Sequence, residues 1–297
     1  MSNYLKNFCV RKLREATVHS YIKVFSRFRQ FYPDLLPQNV TQEHILKWRV
    51  YILKTATNTT YNTYARHLRS VFNFAIEQEI LYFKRNPVVK TFLRDGAKKR
   101  KTFSDKQIKA IFDFLDYCED LPQILRPRWF TLAIINTFRY TGIRRSQLVQ
   151  LRVKDVSIDR GIIMIPAHIN KNHNYHEIPI SNKLRPYIEK VAYEHKQRRS
   201  KDDEQFFNLN KFSSYTLNRD QKMSVHQLQN AFVWISEKVG FKVSPHRFRH
   251  TIATQLMREP ENLYTTKQLL NHSDVKVTMS YIEYNTEMIR NKIDELL

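Results

Sequence analysis

The 297-residue chain is long enough for two domains with ordinary hydrophobic cores. Its net charge of +22 is divided evenly, with 17 basic and 6 acidic residues in 1–98 and 33 basic and 22 acidic residues in 99–297. A polyanion such as nucleic acid is therefore the expected partner, and a general surplus of surface charge is the alternative. The two cysteines lack paired spacing, which excludes a disulfide scaffold or a zinc knuckle. No apolar run approaches the ~20 residues of a membrane span, and the N-terminus lacks the apolar core of a signal peptide, so a soluble cytoplasmic protein is expected.

Residues 1–94 are predicted to form a domain that is helical throughout. Apolar residues recur at three- and four-residue spacing in two long segments, and Thr41 begins a third helix between them. At this period the aromatic residues are expected to form the core rather than a surface on which bases stack. The candidate phosphate contacts are basic residues on the other helix faces, namely Lys23, Arg27, Arg66 and Arg69.

Residues 95–102 are predicted to be a basic linker. Gly96 and a run of four cations interrupt the apolar pattern at Lys98, Lys99, Arg100 and Lys101. A solvated charge run and a tether that follows a phosphate backbone both fit this composition.

Residues 103–297 are predicted to form a second domain of helices and one small sheet. Ser104 and Gln107 have the spacing of a capping box, and helical segments continue to about Leu151. Three short β-branched segments then predict an antiparallel sheet. Later helices are expected to begin at Ser181, Ser224 and Ser244, the last of these with a proline at its first position.

The residues best suited to phosphate chemistry lie in the last fifth of the chain. The segment HRFRH at 246–250 places His246 and Arg249 in the first turn of a helix, with His246 and His250 on one face. Arginine binds phosphate oxygens with two parallel donors, and histidine exchanges protons near neutral pH. A tyrosine hydroxyl beside such groups is a candidate nucleophile.

Five elements in order resemble the tyrosine recombinase (phage integrase) family. They are TGIRRSQLVQLRVKDV at 141–156, the hairpin that contains Lys171, HRFRH at 246–250, Asn271-His272, and Tyr281 nine residues later. The resemblance implies a mainly α fold with a small antiparallel sheet, arranged as a C-shaped clamp. In that clamp a helical core-binding domain and a catalytic domain lie on opposite sides of DNA.

The resemblance also implies the role of each site residue. Arg144 and Arg249 would bind the non-bridging oxygens of the scissile phosphate, and Tyr281 would be the nucleophile. His246 and His272 would assist at the phosphate, and Lys171 would protonate the departing 5′ oxygen. Arg145 and Tyr284 are the nearby alternatives to Arg144 and Tyr281, but each lies off the motif spacing.

Two positions are accessory under this resemblance. The family usually has an acid three residues after its first arginine, and Gln147 stands there instead, which leaves the reaction class in place and its rate open. His250 occupies a variable position near the expected phosphate or Tyr281. A metal site at His168, His173 and His176 is disfavoured because no carboxylate or cysteine accompanies these histidines.

The resemblance implies a site-specific DNA recombinase that works through a 3′-phosphotyrosyl link without ATP, metal or another cofactor. The expected partners are double-stranded DNA with inverted-repeat core sites and a homotetramer on two synapsed sites, associated with the nucleoid when bound. The apolar positions of the last helix, in residues 288–297, are expected to dock on a neighbouring protomer rather than on their own domain. A type IB topoisomerase-like enzyme and a catalytically silent DNA-binding regulator are the alternatives.

Overall fold

The computed structural model describes residues 15–96, 101–170, 172–212, 221–282, 290 and 293–294. The chain divides into two compact units, an amino-terminal unit of Met1–Lys99 and a carboxyl-terminal unit of Arg100–Leu297. The predicted mixture of many helices with one small antiparallel sheet is confirmed. Among the described helices, none is both long enough and apolar enough to cross a bilayer.

The described part of the amino-terminal unit packs three α-helices around one aromatic core. They are α1 (Glu15–Phe31), α2 (Gln42–Leu53) and α3 (Asn58–Glu77). The Thr41 side chain caps α2 by accepting a hydrogen bond from the His44 backbone N–H, as the sequence predicts. The aromatic faces form the core as expected, with these side chains buried: Phe25, Phe28, Trp48, Tyr61 and Phe72.

The prediction that residues 1–94 are helical throughout is wrong for the segment after α3. Residues 78–96 form turns and extended chain. Pro87 lacks a backbone N–H and disfavours helix at the residue before it. Asn62 on α3 both donates to the Leu93 carbonyl oxygen at 2.8 Å and accepts from the Leu93 N–H at 2.9 Å. Asn86 donates to the Arg69 carbonyl oxygen at 2.9 Å, so two buried amides tie this segment to α3.

The carboxyl-terminal unit surrounds a second, larger core. Its α-helices within the described residues are α4 (Asp105–Tyr117), α5 (Arg128–Thr141), α6 (Arg145–Gln150), α7 (Arg185–Gln197), α8 (Leu209–Phe212), α9 (Val225–Val239), α10 (Pro245–Leu256), α11 (Leu263–Leu270) and α12 (Val275–Met279). The sheet contains β1 (Val156–Ser157), β2 (Ile162–Ile165) and β3 (His176–Pro179), antiparallel in that order. In its register Ile163 pairs with Ile178 and Ile165 with His176.

Several predicted helix starts in this unit are confirmed by their caps. Ser104 and Gln107 exchange backbone and side-chain hydrogen bonds at the start of α4. Ser224 and Gln227 exchange the same two hydrogen bonds at the start of α9. Ser244 caps α10, which has Pro245 at its first position. The prediction for Ser181 is wrong by one turn, because α7 begins at Arg185. Its first turn is preceded by a backbone turn in which the Leu184 and Arg185 N–H groups bond to the Ser181 carbonyl oxygen.

Candidate active site

A tight turn after α5 brings Arg144 to the start of α6. Gly142 ends α5 in the left-handed conformation, with φ of 59°. A side chain there would place its Cβ 2.8 Å from Leu270 Cδ2 and 3.1 Å from Ile252 Cγ2. The glycine therefore allows both the backbone conformation and the close approach of α10 and α11 to this turn.

Arg249 is fixed in the interior by two carbonyl groups. It lies in α10, and its side chain is 7% exposed. Its Nη1 donates to the Gly142 carbonyl oxygen at 2.7 Å, and its Nη2 donates to the Leu270 carbonyl oxygen at 2.6 Å. A guanidinium has five N–H donors, so the geometry orients the group while leaving donors for an anion.

Arg144 and Arg249 form a cationic site that has no acidic partner within the part of the chain that the structure describes. Burial, together with the charge of Arg144, lowers the pKa of Arg249 to about 10. Burial also lowers the pKa of Arg144, whose Nη1 is buried without a hydrogen-bond partner among the described residues. Ion pairs within the described ranges include neither arginine. Buried cations left uncompensated are costly, and a bound anion such as phosphate would neutralise them.

His246 and His250 face each other on α10. Their Nε2 atoms are 2.8 Å apart, so one ring donates and the other accepts. Burial and the charge of Arg249 lower the pKa of His246. The His250 ring lies 5.5 Å from the Tyr281 ring, between centroids. This helix face therefore connects a proton-exchanging pair to the predicted nucleophile.

Tyr281 follows α12 and is only 4% exposed, in a small apolar cluster with Ala253, Met257 and Leu270. The His272 ring stacks parallel to it, with 6.0 Å between centroids. His272 Nδ1 in turn lies 2.9 Å from Thr278 Oγ1 on α12. Interaction with Tyr281 partly offsets the lowering of the pKa of Arg144 and of Arg249 by burial. The structure thus brings five predicted catalytic side chains together: Arg144, His246, Arg249, His272 and Tyr281.

Gln147, the accessory position, is buried under Arg144. Its Oε1 accepts the Arg144 backbone N–H at 3.0 Å, and its Nε2 donates to Asn170 Oδ1 at 3.3 Å. Arg145, the alternative to Arg144, donates instead to Gln229 Oε1 on α9 at 2.7 Å. The neighbouring arginines are therefore engaged by different partners.

Three further side chains lie at this site that the sequence did not predict to be there. The His176 ring on β3 lies 3.2 Å from the Leu269 carbonyl oxygen, and its pKa is lowered by burial and, less strongly, by Arg144 and Arg249. Asn172 donates to the Asn271 carbonyl oxygen at 3.1 Å, and Asn170 is the partner of Gln147. His176 was visible in the sequence only as a weak metal candidate. Within the described ranges no cluster of three or more His, Cys, Asp or Glu side chains could hold a metal.

Several predicted residues lie outside the described residues. They are Lys171, the linker cations Lys98, Lys99 and Arg100, the alternative nucleophile Tyr284, and most of the predicted docking helix, including Met288, Ile289, Leu296 and Leu297. Lys101, the last linker cation, is described and exposed.

The basic residues predicted to contact DNA in the amino-terminal unit are exposed. Arg27 donates to the Tyr64 hydroxyl at 2.7 Å, Arg66 approaches the Asp95 carboxylate at 3.9 Å, and Lys23 is exposed on α1. Arg69 lies over the Phe92 ring, 5.5 Å from its centroid. Arg66 and Arg69 also line one shallow cavity with Ser70 and Asn73.

Family comparison accounts for nearly the whole chain. The phage integrase family matches residues 101–288, and the phage integrase SAM-like domain matches residues 1–93. The chain belongs to the phage integrase family, the tyrosine recombinases. The family resemblance predicted from the motifs is confirmed. In this integrase-family chain, the catalytic-domain match contains all the clustered side chains described above.

The sequence relatives carry tyrosine recombinase names. A Pseudomonas aeruginosa protein named as a tyrosine recombinase XerC is 34% identical over 288 residues, which cover 94% of this chain and 67% of that protein. A Pseudomonas syringae protein of the same name is 33% identical, with 95% of this chain and 61% of that protein covered. This chain therefore spans about two thirds of the length of those relatives. The tyrosine recombinase XerA of Thermococcus kodakarensis is 24% identical, with 92% and 86% covered.

Solved structures show the same fold. The integrase of transposon Tn1549, in complex with a circular intermediate DNA, superposes with a TM-score of 0.75 at 17% identity, covering 99% of this chain and 98% of that chain. A lambda integrase dimer bound to a core site gives a TM-score of 0.72 at 16% identity, with 95% and 93% covered. The integrase-family chain therefore shares its fold with proteins that were solved on DNA.

Proposed function

We propose that the protein is a site-specific DNA recombinase that cuts and rejoins strands through a 3′-phosphotyrosyl intermediate at Tyr281. The observation that carries the proposal is the position of the buried Tyr281 beside the buried Arg249 and the half-buried Arg144, which have no carboxylate partner among the described residues. Tyrosine recombinase relatives over more than nine tenths of the chain support the same class of enzyme.

In the proposed first step, Tyr281 Oη forms a bond to the scissile phosphorus while the bond from phosphorus to the 5′ oxygen breaks. A tyrosine hydroxyl has a pKa near 10, so the attack needs a group that accepts its proton near neutral pH. The histidines around it, His246, His250 and His272, are the candidate acceptors. Lys171 is proposed to protonate the departing 5′ oxygen, which leaves a free hydroxyl.

Arg144 and Arg249 would stabilise the charge that develops on the non-bridging oxygens. Donors that are already oriented need no reorganisation during the reaction, and in a site with little water their effect is large. The two carbonyl contacts of Arg249 provide this orientation. The free 5′ hydroxyl of a second duplex would then attack the phosphotyrosyl link, so the energy of the phosphodiester bond is conserved and neither ATP nor metal is needed.

The proposed partner is double-stranded DNA with inverted-repeat core sites, bound by four protomers on two synapsed duplexes. The lambda integrase has been solved as a tetramer on a Holliday junction, with the same fold at a TM-score of 0.72. The charge of +22 favours a polyanionic partner of this kind.

A nicked suicide substrate tests the proposal. When cleavage releases a short 5′ fragment that diffuses away, the covalent adduct accumulates and is seen as a shifted band under denaturing conditions. Tyr281→Phe is expected to abolish the adduct while DNA binding persists. Tyr284→Phe and Tyr264→Phe are expected to retain it; Tyr264 lies on α11 and is 69% exposed.

An adduct that survives Tyr281→Phe would contradict the assignment of the nucleophile. DNA binding without an adduct on any core site would favour the silent regulator. Relaxation of supercoiled DNA by a monomer, without synapsis, would favour a topoisomerase-like activity instead.

A further inference from the structure

Gln147 stands where the family usually has an acid, and its side chain contacts a second buried amide, Asn170. Gln147 is 3% exposed and Asn170, in the turn after β2, is fully buried. The turn that holds Asn170 is itself fixed by the backbone, because the Asn170 N–H bonds to the Pro166 and Ala167 carbonyl oxygens at 3.2 Å. The side-chain contact between Gln147 and Asn170 thus joins α6 to the turn after β2, 23 residues later in the chain.

The backbone determines the orientation of both amides. Gln147 Oε1 accepts the Arg144 backbone N–H at 3.0 Å, so Gln147 Nε2 must face Asn170. Asn170 Nδ2 donates to the Asn174 carbonyl oxygen at 2.7 Å, so Asn170 Oδ1 must face Gln147. The contact between them is then N–H to oxygen at 3.3 Å, and each amide has one possible orientation.

An ionised carboxylate does not fit this arrangement. It would accept the Arg144 N–H, but its second oxygen would face the Asn170 oxygen without a proton between them. Rotation of the Asn170 amide would remove that repulsion only by turning its oxygen toward the Asn174 carbonyl oxygen. A protonated carboxyl, in contrast, both accepts from Arg144 and donates to Asn170, as the glutamine does.

We propose that Gln147 and Asn170 form an uncharged positioning pair that fixes the Arg144 backbone against the turn after β2. The pair requires an uncharged group at position 147 that both accepts from the Arg144 N–H and donates to Asn170. The pair acts through Arg144 and does not touch the phosphate. Because the pair is uncharged, it adds no carboxylate beside Arg144 and Arg249, so it leaves their positive charge available to the substrate phosphate. This inference rests on the proposed function for its activity readout.

The test compares wild type with Gln147→Glu, Gln147→Met, Asn170→Ala and the double variant Gln147→Glu/Asn170→Ala. The readout is the rate of covalent adduct formation on the suicide substrate, relative to wild type, between about pH 5.5 and 8.5, the range in which a buried carboxyl titrates. Other charged and titratable groups in this region are unchanged in all variants, so the ratio to wild type isolates position 147. They are Arg144, Arg145, His168, His173, His176, His246, Arg249, His250, His272 and Tyr281.

Gln147→Glu is expected to be at least about tenfold slower than wild type at high pH and to approach it within about threefold as pH falls and the carboxyl protonates. Gln147→Met keeps the shape without the hydrogen bonds, so it should be slow at every pH. With Asn170→Ala already present, adding Gln147→Glu should cost less than about threefold, because the opposing oxygen is gone. DNA affinity should change little in any of these variants.

A Gln147→Glu variant as fast as wild type at high pH, or one whose ratio to wild type rises with pH, would overturn the pairing. So would additive effects of the two substitutions. Urea unfolding of wild type, Gln147→Glu, Asn170→Ala and the double variant gives a readout that does not depend on catalysis, since coupling between positions 147 and 170 should appear there too. Absence of an adduct with wild type would contradict the proposed function, while unfolding data without coupling would contradict this inference.

A matched control separates positioning from general destabilisation. Asn210 is also a buried amide of this unit, and it donates to the Gln221 carbonyl oxygen at 3.0 Å. Asn210→Ala should lower stability about as much as Asn170→Ala does, while the pH profile of adduct formation stays that of wild type. A changed pH profile in the control would show that any buried amide has this effect and would overturn the specific role of the pair.

Discussion

The arginines of the two units differ in their exposure to solvent and in the groups that orient their side chains. In the amino-terminal unit Arg66 and Arg69 reach solvent, one beside Asp95 and the other over the Phe92 ring. In the carboxyl-terminal unit Arg144 and Arg249 are desolvated, and Arg249 is oriented by two backbone carbonyl groups. Exposed cations attract a polyanion with a strength that falls with salt, whereas buried, oriented cations favour one charge distribution in one place. Arginines of the amino-terminal unit are therefore expected to contribute to DNA affinity, and those of the carboxyl-terminal unit to the rate of strand cleavage.

The largest effect should come from Arg249→Lys. A lysine cannot make both carbonyl contacts and also present two parallel donors to a phosphate, so we expect adduct formation to fall by about 10²–10³-fold. The measurement is single-turnover cleavage of the suicide substrate at saturating protein.

Arg247→Lys is the matched control for that variant. Arg247 lies two residues away on α10, but it donates to the Thr102 carbonyl oxygen and to Gln107 Oε1 and packs over the Phe103 ring. Its substitution should lower the unfolding free energy with little effect on single-turnover cleavage. Equal losses of cleavage in the two variants would remove the distinction between structural and oriented arginines.

The next effect concerns the turn that positions Arg144. Gly142→Ala should destabilise the unit by about 1–3 kcal/mol, because a side chain at this positive φ is strained and meets Leu270. Cleavage should also slow, since the Gly142 carbonyl oxygen orients Arg249. Gly240 ends α9 at φ of 75° with open space around it, so Gly240→Ala carries only the backbone strain. Urea unfolding of both variants should show the larger loss for Gly142→Ala, and a larger loss at Gly240 would contradict the contact argument.

A smaller and salt-dependent effect is expected in the amino-terminal unit. The double variant Arg66→Ala/Arg69→Ala should weaken DNA binding about tenfold at low salt and reduce the slope of log affinity against log salt by about 2, if each arginine contacts one phosphate. Single-turnover cleavage at saturating protein should be unchanged. Lys47→Ala serves as control, because Lys47 is paired with Glu43 at 2.8 Å on α2. An unchanged salt slope in the double variant would show that these exposed arginines do not meet the backbone of DNA.

The smallest effect is a dependence of stability on pH that the buried histidines give to the carboxyl-terminal unit. Burial lowers the pKa of His176 and of His195, whose Nε2 donates to the Phe206 carbonyl oxygen at 2.9 Å. A lowered folded-state pKa means that the unfolded chain binds the proton first, so stability is complete above the ordinary histidine pKa of about 6.5 and is lost as pH falls through the folded value. The urea midpoint should therefore fall between about pH 7 and 5, and less steeply in His195→Gln. A urea midpoint that rises as the pH falls from 7 to 5 would contradict the predicted loss of stability on protonation of the buried histidines.

Local sequence patterns determined most of the fold and the identity of the clustered side chains. Caps such as those at Ser104, Ser224 and Ser244 depend on hydrogen bonds over three residues, and the aromatic periodicity of the first unit depends on one helix face, so both are visible without tertiary structure. Motif order and spacing identified the family and selected Tyr281 from 16 tyrosines.

Only the tertiary structure decided what holds those side chains in place. The contacts of Arg249 with Gly142 and of His176 with Leu269 join residues 107 and 93 positions apart, and no local pattern records them. The same reason explains the wrong prediction of helix for residues 78–94, because the hydrogen bonds of Asn62 and Asn86 join this segment to residues of α3 that are distant in sequence. Sequence specified the reactive groups because their chemistry belongs to the residue type. Orientation, burial and the pairing of Gln147 with Asn170 belong to the packing of distant segments, and only the fold determines them.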